Sequence, residues 1–372
     1  MRICRFGHGV LCLLLLTCLA PQLWAARRTQ GIISPEVHAD RRVTFRLYAP
    51  RAKSVGVGVQ FLPGIQPMRK DDSGLWRVTL GPAEPDIYEY SFMVDGLQIV
   101  DPANSWLKIW LRTARSLVEI PGDEPMFVEE QQVPHGTMHL HRYQSKSLGI
   151  TRPLYVYTPP GYETNRQARY PVLYLLHGLG DAEDTWTVVG RANLIVDNLL
   201  ARNEARPLLI VMPYGHTPSA PPDMRSVGNY GDFERDMIED VIPYVQQCYR
   251  VSADQKDRAI AGLSMGGGQA LTVGLGHLEL FGWIGAFSSA VPRGQKLDEL
   301  LAEPNSVNEK LKLFWVGCGR SDFLFRQNQS LIDRLNAEKI KHVSHITDGA
   351  HEWQLWRRYL NEFVPLLFQP DR

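Results

Sequence analysis

The sequence is poor in cysteine. It has five in 372 residues, and Cys4, Cys12 and Cys18 fall in the opening segment, leaving Cys248 and Cys318 beyond it. That excludes a disulfide-built scaffold, although a single bond between the last two stays open for an exported chain. Excess charge is also missing, with 40 Lys plus Arg against 40 Asp plus Glu. A balanced chain exerts no long-range pull on nucleic acid or anionic lipid, and neither is expected as a partner. No repeat of fixed period and no low-complexity tract is present. No Cys/His spacing resembles a metal site. His139 and His141 sit two apart, which in a strand puts both on one face, but no other ligand is near them in sequence and a solvated strand face is the plainer reading. No metal or organic cofactor is called for. Long apolar runs are absent as well, since residues 10–20, the clearest, are too few to span a bilayer.

That run belongs to a distinctive opening. Arg2 and Arg5 precede it, and Trp24-Ala25-Ala26 follows with small residues suited to cleavage. Basic start, short apolar middle and small-residue exit are the layout of a secretory signal peptide over residues 1–26, predicting a secreted or periplasmic product with no membrane span in the mature chain. Cys18 follows Leu-Leu-Thr, a poor lipoprotein site, so lipid anchoring is the minor reading. The rest is ordinary globular material, 44% hydrophobic and 22% charged, long enough for two domains.

Residues 30–121 read as β structure. Residues 43–48, 55–59, 75–80 and 88–94 each alternate apolar and polar, and Asp95-Gly96 is a hairpin signal. Short strands at regular spacing with no helix between them predict a small sandwich. Val-Thr-Phe-Arg-Leu-Tyr-Ala-Pro, Gly-Leu-Trp, Tyr-Glu-Tyr-Ser-Phe-Met-Val-Asp-Gly and Asp101-Pro102-Ala103-Asn104 resemble the early-set immunoglobulin-like domain that precedes the catalytic unit in many glycan-active enzymes. The resemblance implies a module related to carbohydrate-binding modules, acting either on sugar or as a spacer. Trp76 alternates with core positions and is expected in the core. Trp106 and Trp110 are open between sugar platform, core and domain seam.

An acid- and proline-rich linker precedes a second domain, residues 133–369. Its apolar runs at 170–176, 208–212, 258–261 and 312–317 have the continuous character of strands buried on both faces. A strand pair turns at Gly149, residues 233–249 and 331–337 have helical periodicity, and 352–368 forms an amphipathic closing helix. Strands alternating with helices predict an α/β fold with a doubly wound sheet. Within it, Gly262-Leu263-Ser264-Met265-Gly266 fits the Gly-x-Ser-x-Gly elbow. Small residues at 262 and 266 let a strand turn sharply into a helix, holding the Ser264 hydroxyl at the bend with the Met265 N–H facing a substrate oxygen. Ser264 needs a base, and His351, after the last strand, is placed to serve. The orienting acid is expected after the preceding strand, where Asp322 stands. Asp348 is the lesser candidate, cramped by lying three residues from His351. His177 and His216 come too early in the chain to be the base.

His177-Gly178-Leu179-Gly180-Asp181, Trp186, Ile242-Pro243-Tyr244, the elbow and Asp348-Gly349-Ala350-His351-Glu352-Trp353 together resemble the esterase D group of α/β-hydrolases over about residues 133–368. That group includes feruloyl and acetylxylan esterases of carbohydrate esterase family one, enterochelin esterases, S-formylglutathione hydrolase and mycolyltransferases. The resemblance implies a Ser264-His351-Asp322 triad and an oxyanion hole from the N–H groups of Leu179 and Met265. It also implies a serine esterase acting on feruloyl or acetyl groups of plant xylan, with an ester-decorated polysaccharide or oligosaccharide as its partner. Trp353, Gly178 and Trp186 are candidate substrate contacts, with packing of the closing helix the alternative for Trp353. A siderophore esterase of the enterochelin type is the second reading. A non-catalytic glycan-binding protein is the alternative of another class.

Overall fold

Period-two alternation in the first third of the chain becomes two sheets. The computed structural model describes residues 31–111, 113–223 and 227–369. The signal peptide expected over residues 1–26 and the lipidation reading at Cys18 lie outside the described residues. One sheet runs Glu36–Val37, Val43–Tyr48, Leu75–Leu80, Arg69–Lys70. The other runs Ile65–Pro67, Val55–Val59, Asp86–Val94, Thr113–Ile120, Leu107–Trp110, with Leu97–Ile99 paired to Asp86–Val94. Val43, Phe45 and Leu47 from the first meet Val55, Val57, Tyr90 and Phe92 from the second in one core, where the Phe45 and Tyr90 rings lie 4.8 Å apart. Trp76 joins this core, as its alternation predicts, and its indole N–H donates to the Ala49 carbonyl. At Asp95-Gly96 both φ angles are positive, +48° and +88°, and Val94 pairs with Leu97, as a two-residue hairpin turn requires.

The chain divides into two units, Met1–Leu107 with Arg115–Ile120, and Lys108–Ala114 with Pro121–Arg372. Alternation alone places all of residues 30–121 in the sandwich. The structure instead assigns the hairpin tip Lys108–Ala114 to the second unit, because its polar groups are satisfied there: the Leu111 N–H donates to the Gly180 carbonyl at 2.9 Å.

The second unit is built on an eight-stranded sheet. Its strands are β1 (Thr137–Ser145), β2 (Ile150–Thr158), β3 (Val172–Leu176), β4 (Leu209–Pro213), β5 (Arg258–Leu263), β6 (Trp283–Phe287), β7 (Leu313–Gly319) and β8 (Val343–Thr347), in the order β1-β2-β4-β3-β5-β6-β7-β8. The first two pairings are antiparallel and the rest parallel. Every residue of β3 to β7 is buried, so helices must cover both faces. Helix α1 (Ala192–Ala201) packs with α4 (Trp353–Phe363), whereas α2 (Met265–Gly276) packs with the helices at Gly231–Asp236 and Gln295–Leu300, and α3 (Phe325–Ala337) packs on β7. The doubly wound sheet expected from the alternation of strands and helices is therefore present. The helix expected over residues 233–249 is interrupted: Met237–Val241 widens into a π turn just before Pro243, which has no N–H to donate to the helical ladder.

Register places the functional ends together. Leu176 pairs with Gly262, and Gly319 with Thr347, so the loops after β3 and β5 leave the sheet side by side, as do those after β7 and β8. Cys318 is buried in β7 and Cys248 exposed, and both are free thiols. Among the described residues no helix is long and apolar enough to cross a membrane.

Candidate active site

The elbow forms because nothing larger than hydrogen fits beside it. A Cβ on Gly262 would lie 2.5 Å from the Gly266 carbonyl group, and one on Gly266 would lie 2.5 Å from the His177 carbonyl oxygen. Between them Ser264 sits at φ +53°, ψ −114°, a conformation that costs on the order of 1–3 kcal/mol for a residue with a side chain. Its backbone is held on both sides: the Ser264 N–H donates to the Phe287 carbonyl, and its own carbonyl accepts from Gly268 and Ala290. Helix α2 starts at the next residue, so the Met265 N–H is among the amides at the helix start that have no partner within the helix.

The base and acid come from loops that are laced together. The Arg320 N–H donates to the Thr347 carbonyl and the Ser321 N–H to the Gly349 carbonyl. Gly319 is required at this crossing, since a Cβ there would meet the Gly349 oxygen at 2.2 Å. As a result Asp322 lies against His351, with Nδ1 2.9 and 3.0 Å from its two carboxylate oxygens, and His351 Nε2 lies 3.0 Å from Ser264 Oγ. Asp322 is buried and also accepts the Leu324 N–H at 2.7 Å. The imidazole is flanked by Trp356, edge-on at 4.8 Å, and Phe323 at 4.4 Å. Asp348 has a fully exposed side chain near Arg320, away from the histidine.

Behind the nucleophile, the loop after β3 is held by two further histidines. Gly178 lies against the elbow, where a Cβ would be 2.6 Å from the Leu263 side chain and 3.5 Å from that of Ser264. His177 accepts the Gly215 N–H at Nε2, so its proton is on Nδ1, which donates to the Gly178 carbonyl at 2.8 Å. A trans peptide directs the N–H opposite to its C=O, so the Leu179 N–H points away from His177. The next peptide is held at both ends: the Leu179 carbonyl accepts from the Trp110 indole at 2.8 Å, and the Gly180 N–H donates to His216 Nε2 at 3.1 Å. Burial, and then the His216 ring, push the His177 pKa down to about 3. Burial, and then Arg152, push that of His216 down to about 4. Both rings are neutral at ordinary pH. His216 Nδ1 is buried with no hydrogen-bond partner among the described residues, a penalty of about 1–3 kcal/mol.

Beside Met265 a small pocket is lined by Gly215, Thr217, Tyr230, Phe233 and Gln269 among others. The Gln269 amide donates to the Gly215 carbonyl at 2.8 Å, and its oxygen is buried without a partner among the described residues. No cluster of His, Cys, Asp or Glu able to hold a metal ion occurs among the described residues.

Residues 145–367, more than half of the chain, match the family Esterase. The chain belongs to the Esterase family. Among curated relatives, this esterase is 34% identical over 349 residues to an endo-1,4-beta-xylanase/feruloyl esterase of Xylanibacter ruminicola, covering 90% of this chain and 46% of the relative. It is 27% identical over 221 residues to an acetyl esterase of Caldicellulosiruptor saccharolyticus, covering 50% of this chain and 79% of that one. The esterase thus spans about half the length of the xylanase/feruloyl esterase relative. Among solved structures, a CE1 ferulic acid esterase of Anaeromyces mucronatus aligns with TM-score 0.58 and 26% identity, over 64% of this chain and 93% of that one. The enterobactin esterase of Shigella flexneri aligns with TM-score 0.69 over 93% of this chain and 99% of that one; at 21% identity the likeness is one of fold. By family the chain is an esterase, a carboxylic ester hydrolase.

Not every expected contact is at the site. Trp186 and Trp353 are buried, at 1% and 3% exposure, packed edge-on against each other at 5.1 Å. The Trp186 indole N–H donates to the Leu176 carbonyl. Both are core packing of the esterase rather than pocket wall, because α4 turns Trp353 inward onto the helix pair. Sequence reasoning misses Phe323, 71% exposed against His351, and considers His216 only as a base. The adjacency of Phe323 to Asp322 is the available signal for the first. His139 and His141 share a strand face and bond hydroxyls of Thr158, Tyr244 and Tyr249.

Proposed function

We propose that this protein is an exported serine ester hydrolase that removes feruloyl or acetyl groups from plant cell-wall polysaccharide, acting through Ser264, His351 and Asp322. The observation that carries the reading is the unbroken line of hydrogen-bond distances from Ser264 Oγ through both ring nitrogens of His351 to Asp322. In this reading Ser264 Oγ attacks the ester carbonyl carbon while its proton passes to His351 Nε2. The ester C–O bond then breaks and the alcohol leaves with that proton. Water gives a proton to His351 and attacks the acyl-enzyme, freeing the acid and Ser264. Asp322 accepts the Nδ1–H throughout, fixing the tautomer. The developing oxyanion is met by the N–H groups of Leu179 and Met265, each such donor being worth about two to three orders of magnitude in turnover.

Phe323, exposed against the imidazole that protonates the leaving alcohol, suits the sugar side. Export rests on the basic and apolar opening of the sequence, and the xylan substrate on the names of the relatives. The test is purified protein against methyl ferulate and acetylated xylan, with Ser264→Ala as blank. Release of ferulate or acetate that disappears in the variant is expected, whereas undiminished hydrolysis by Ser264→Ala would sink the assignment. A siderophore ester is the second reading, favoured by the extent of the fold likeness to the enterobactin esterase. Turnover of a catecholate serine ester with neither xylan substrate reacting would select it.

A further inference from the structure

We propose that His216 is a positioning residue for the oxyanion hole: its Nε2 accepts the Gly180 N–H and, opposite the Trp110 indole, fixes the Leu179–Gly180 peptide so that the Leu179 N–H faces the reacting carbonyl. The inference rests on the reading above, in which Ser264 is the nucleophile and Leu179 supplies one oxyanion donor.

Four observations carry it. First, the loop after β3 has a glycine on each side of Leu179, and Gly180 is at φ +82°. Glycine-flanked backbone has several accessible conformations, so something outside the loop must select one. Second, the selection is made at both ends of one rigid unit. The carbonyl and the N–H of a trans peptide point in opposite directions, and Trp110 and His216 grip those two ends. Third, His216 is itself anchored rather than loosely packed. Arg152 donates to the carbonyls of Tyr214 and His216, and its guanidinium is paired with buried Asp236 at 3.0 Å, which in turn accepts the Tyr143 hydroxyl proton. Fourth, the ring keeps its Nδ1–H buried without an acceptor while Nε2 is presented to Gly180. A purely packing role would be filled more cheaply by an apolar ring. His177 does for the preceding peptide what His216 does for this one, so both peptides that meet at Leu179 are set by imidazoles.

The test uses the full chain and p-nitrophenyl acetate with three variants. His216→Phe keeps the bulk and removes the acceptor. His216→Gln restores an acceptor at about the same reach. Trp110→Phe removes the indole N–H and keeps an aromatic ring. The expected results are a kcat loss of about tenfold to a hundredfold for His216→Phe with KM nearly unchanged, recovery to within several-fold of the parent for His216→Gln, and a smaller kcat loss for Trp110→Phe. Affinity for phenylboronic acid, whose tetrahedral serine adduct places an oxygen in the oxyanion hole, should fall with kcat across the three. A folded His216→Phe with parental kcat, or a His216→Gln as impaired as His216→Phe, overturns the inference. Should His216→Phe fail to fold, His216→Gln and Trp110→Phe still decide it. Parental kcat in Trp110→Phe together with a dead but folded His216→Gln would show that no acceptor-and-donor clamp operates. If Ser264→Ala turns over like the parent, the reading beneath the inference has failed. If Ser264→Ala is inactive and His216→Phe is not impaired, only the inference has.

Discussion

Ser264, Asp322 and His351 are separated by 58 and 29 positions in sequence, yet the three side chains form one line within 3.0 Å contacts. Asp322 does two things in it: one carboxylate oxygen caps the Leu324 N–H while both face His351. Asp322→Asn should keep the fold, because an amide oxygen can still accept from Leu324, but it no longer holds the imidazole in the required tautomer. Turnover should drop by about four orders of magnitude, and Asp348→Asn, at a fully exposed position, should be indistinguishable from the parent. Steady-state rates on p-nitrophenyl acetate decide between them, and equal impairment would mean that Asp322 is not the orienting acid. These residues are readable in the sequence because acyl transfer demands particular side-chain types at strand ends. Trp186 is misread, and Trp353 left open between contact and packing, for the complementary reason. Neighbourhood to the base along the chain does not say which way a helix turns an indole, and α4 turns Trp353 into the core.

At the scale of elements, the loops after β7 and β8 behave as one part. Gly319 and Gly349 let their backbones cross, and the hydrogen bonds of Arg320 and Ser321 tie them. Gly319→Ala would insert a methyl group 2.2 Å from the Gly349 oxygen, forcing the loops apart and drawing Asp322 from His351. Both the melting temperature and kcat should fall, with kcat falling further than Asp348→Asn can account for. A variant with parental rate and stability would show that the crossing is not required. Most of the longer strands of both units are legible from periodicity, including the Asp95-Gly96 hairpin, but Thr113–Ile120 and the wholly buried β6 are not among those that alternation and apolar runs mark. The tip Lys108–Ala114 is not, since alternation marks a strand without marking the unit that its end joins. The π turn at Met237–Val241 is likewise hidden, because apolar residues three and four apart keep their spacing on either side of one widened turn.

For the molecule as a whole, the two buried histidines bear on acid stability. His177 and His216 are neutral when folded, with pKa near 3 and 4, and return to about 6.5 when unfolded. Below that value the unfolded chain binds more protons than the folded one. Stability is therefore complete above about pH 6.5 and lost as pH falls towards 4, by about 1.4 kcal/mol per pH unit for each ring. His277, its pKa raised by Glu234, contributes with opposite sign, but its partly exposed side chain makes that contribution small. The fall in urea midpoint between pH 7.5 and pH 5 should be smaller in His216→Gln than in the parent, and an equal fall would contradict neutral burial of that ring.

The state of the thiols has a consequence of another kind. Cys318 lies inside β7 with its ionisation pushed up to about 12 by burial and by the charge of Asp322, and Cys248 is an exposed thiol beside Tyr244. Neither is in a disulfide, so the cohesion of the described residues rests on packing and hydrogen bonding rather than on a covalent cross-link.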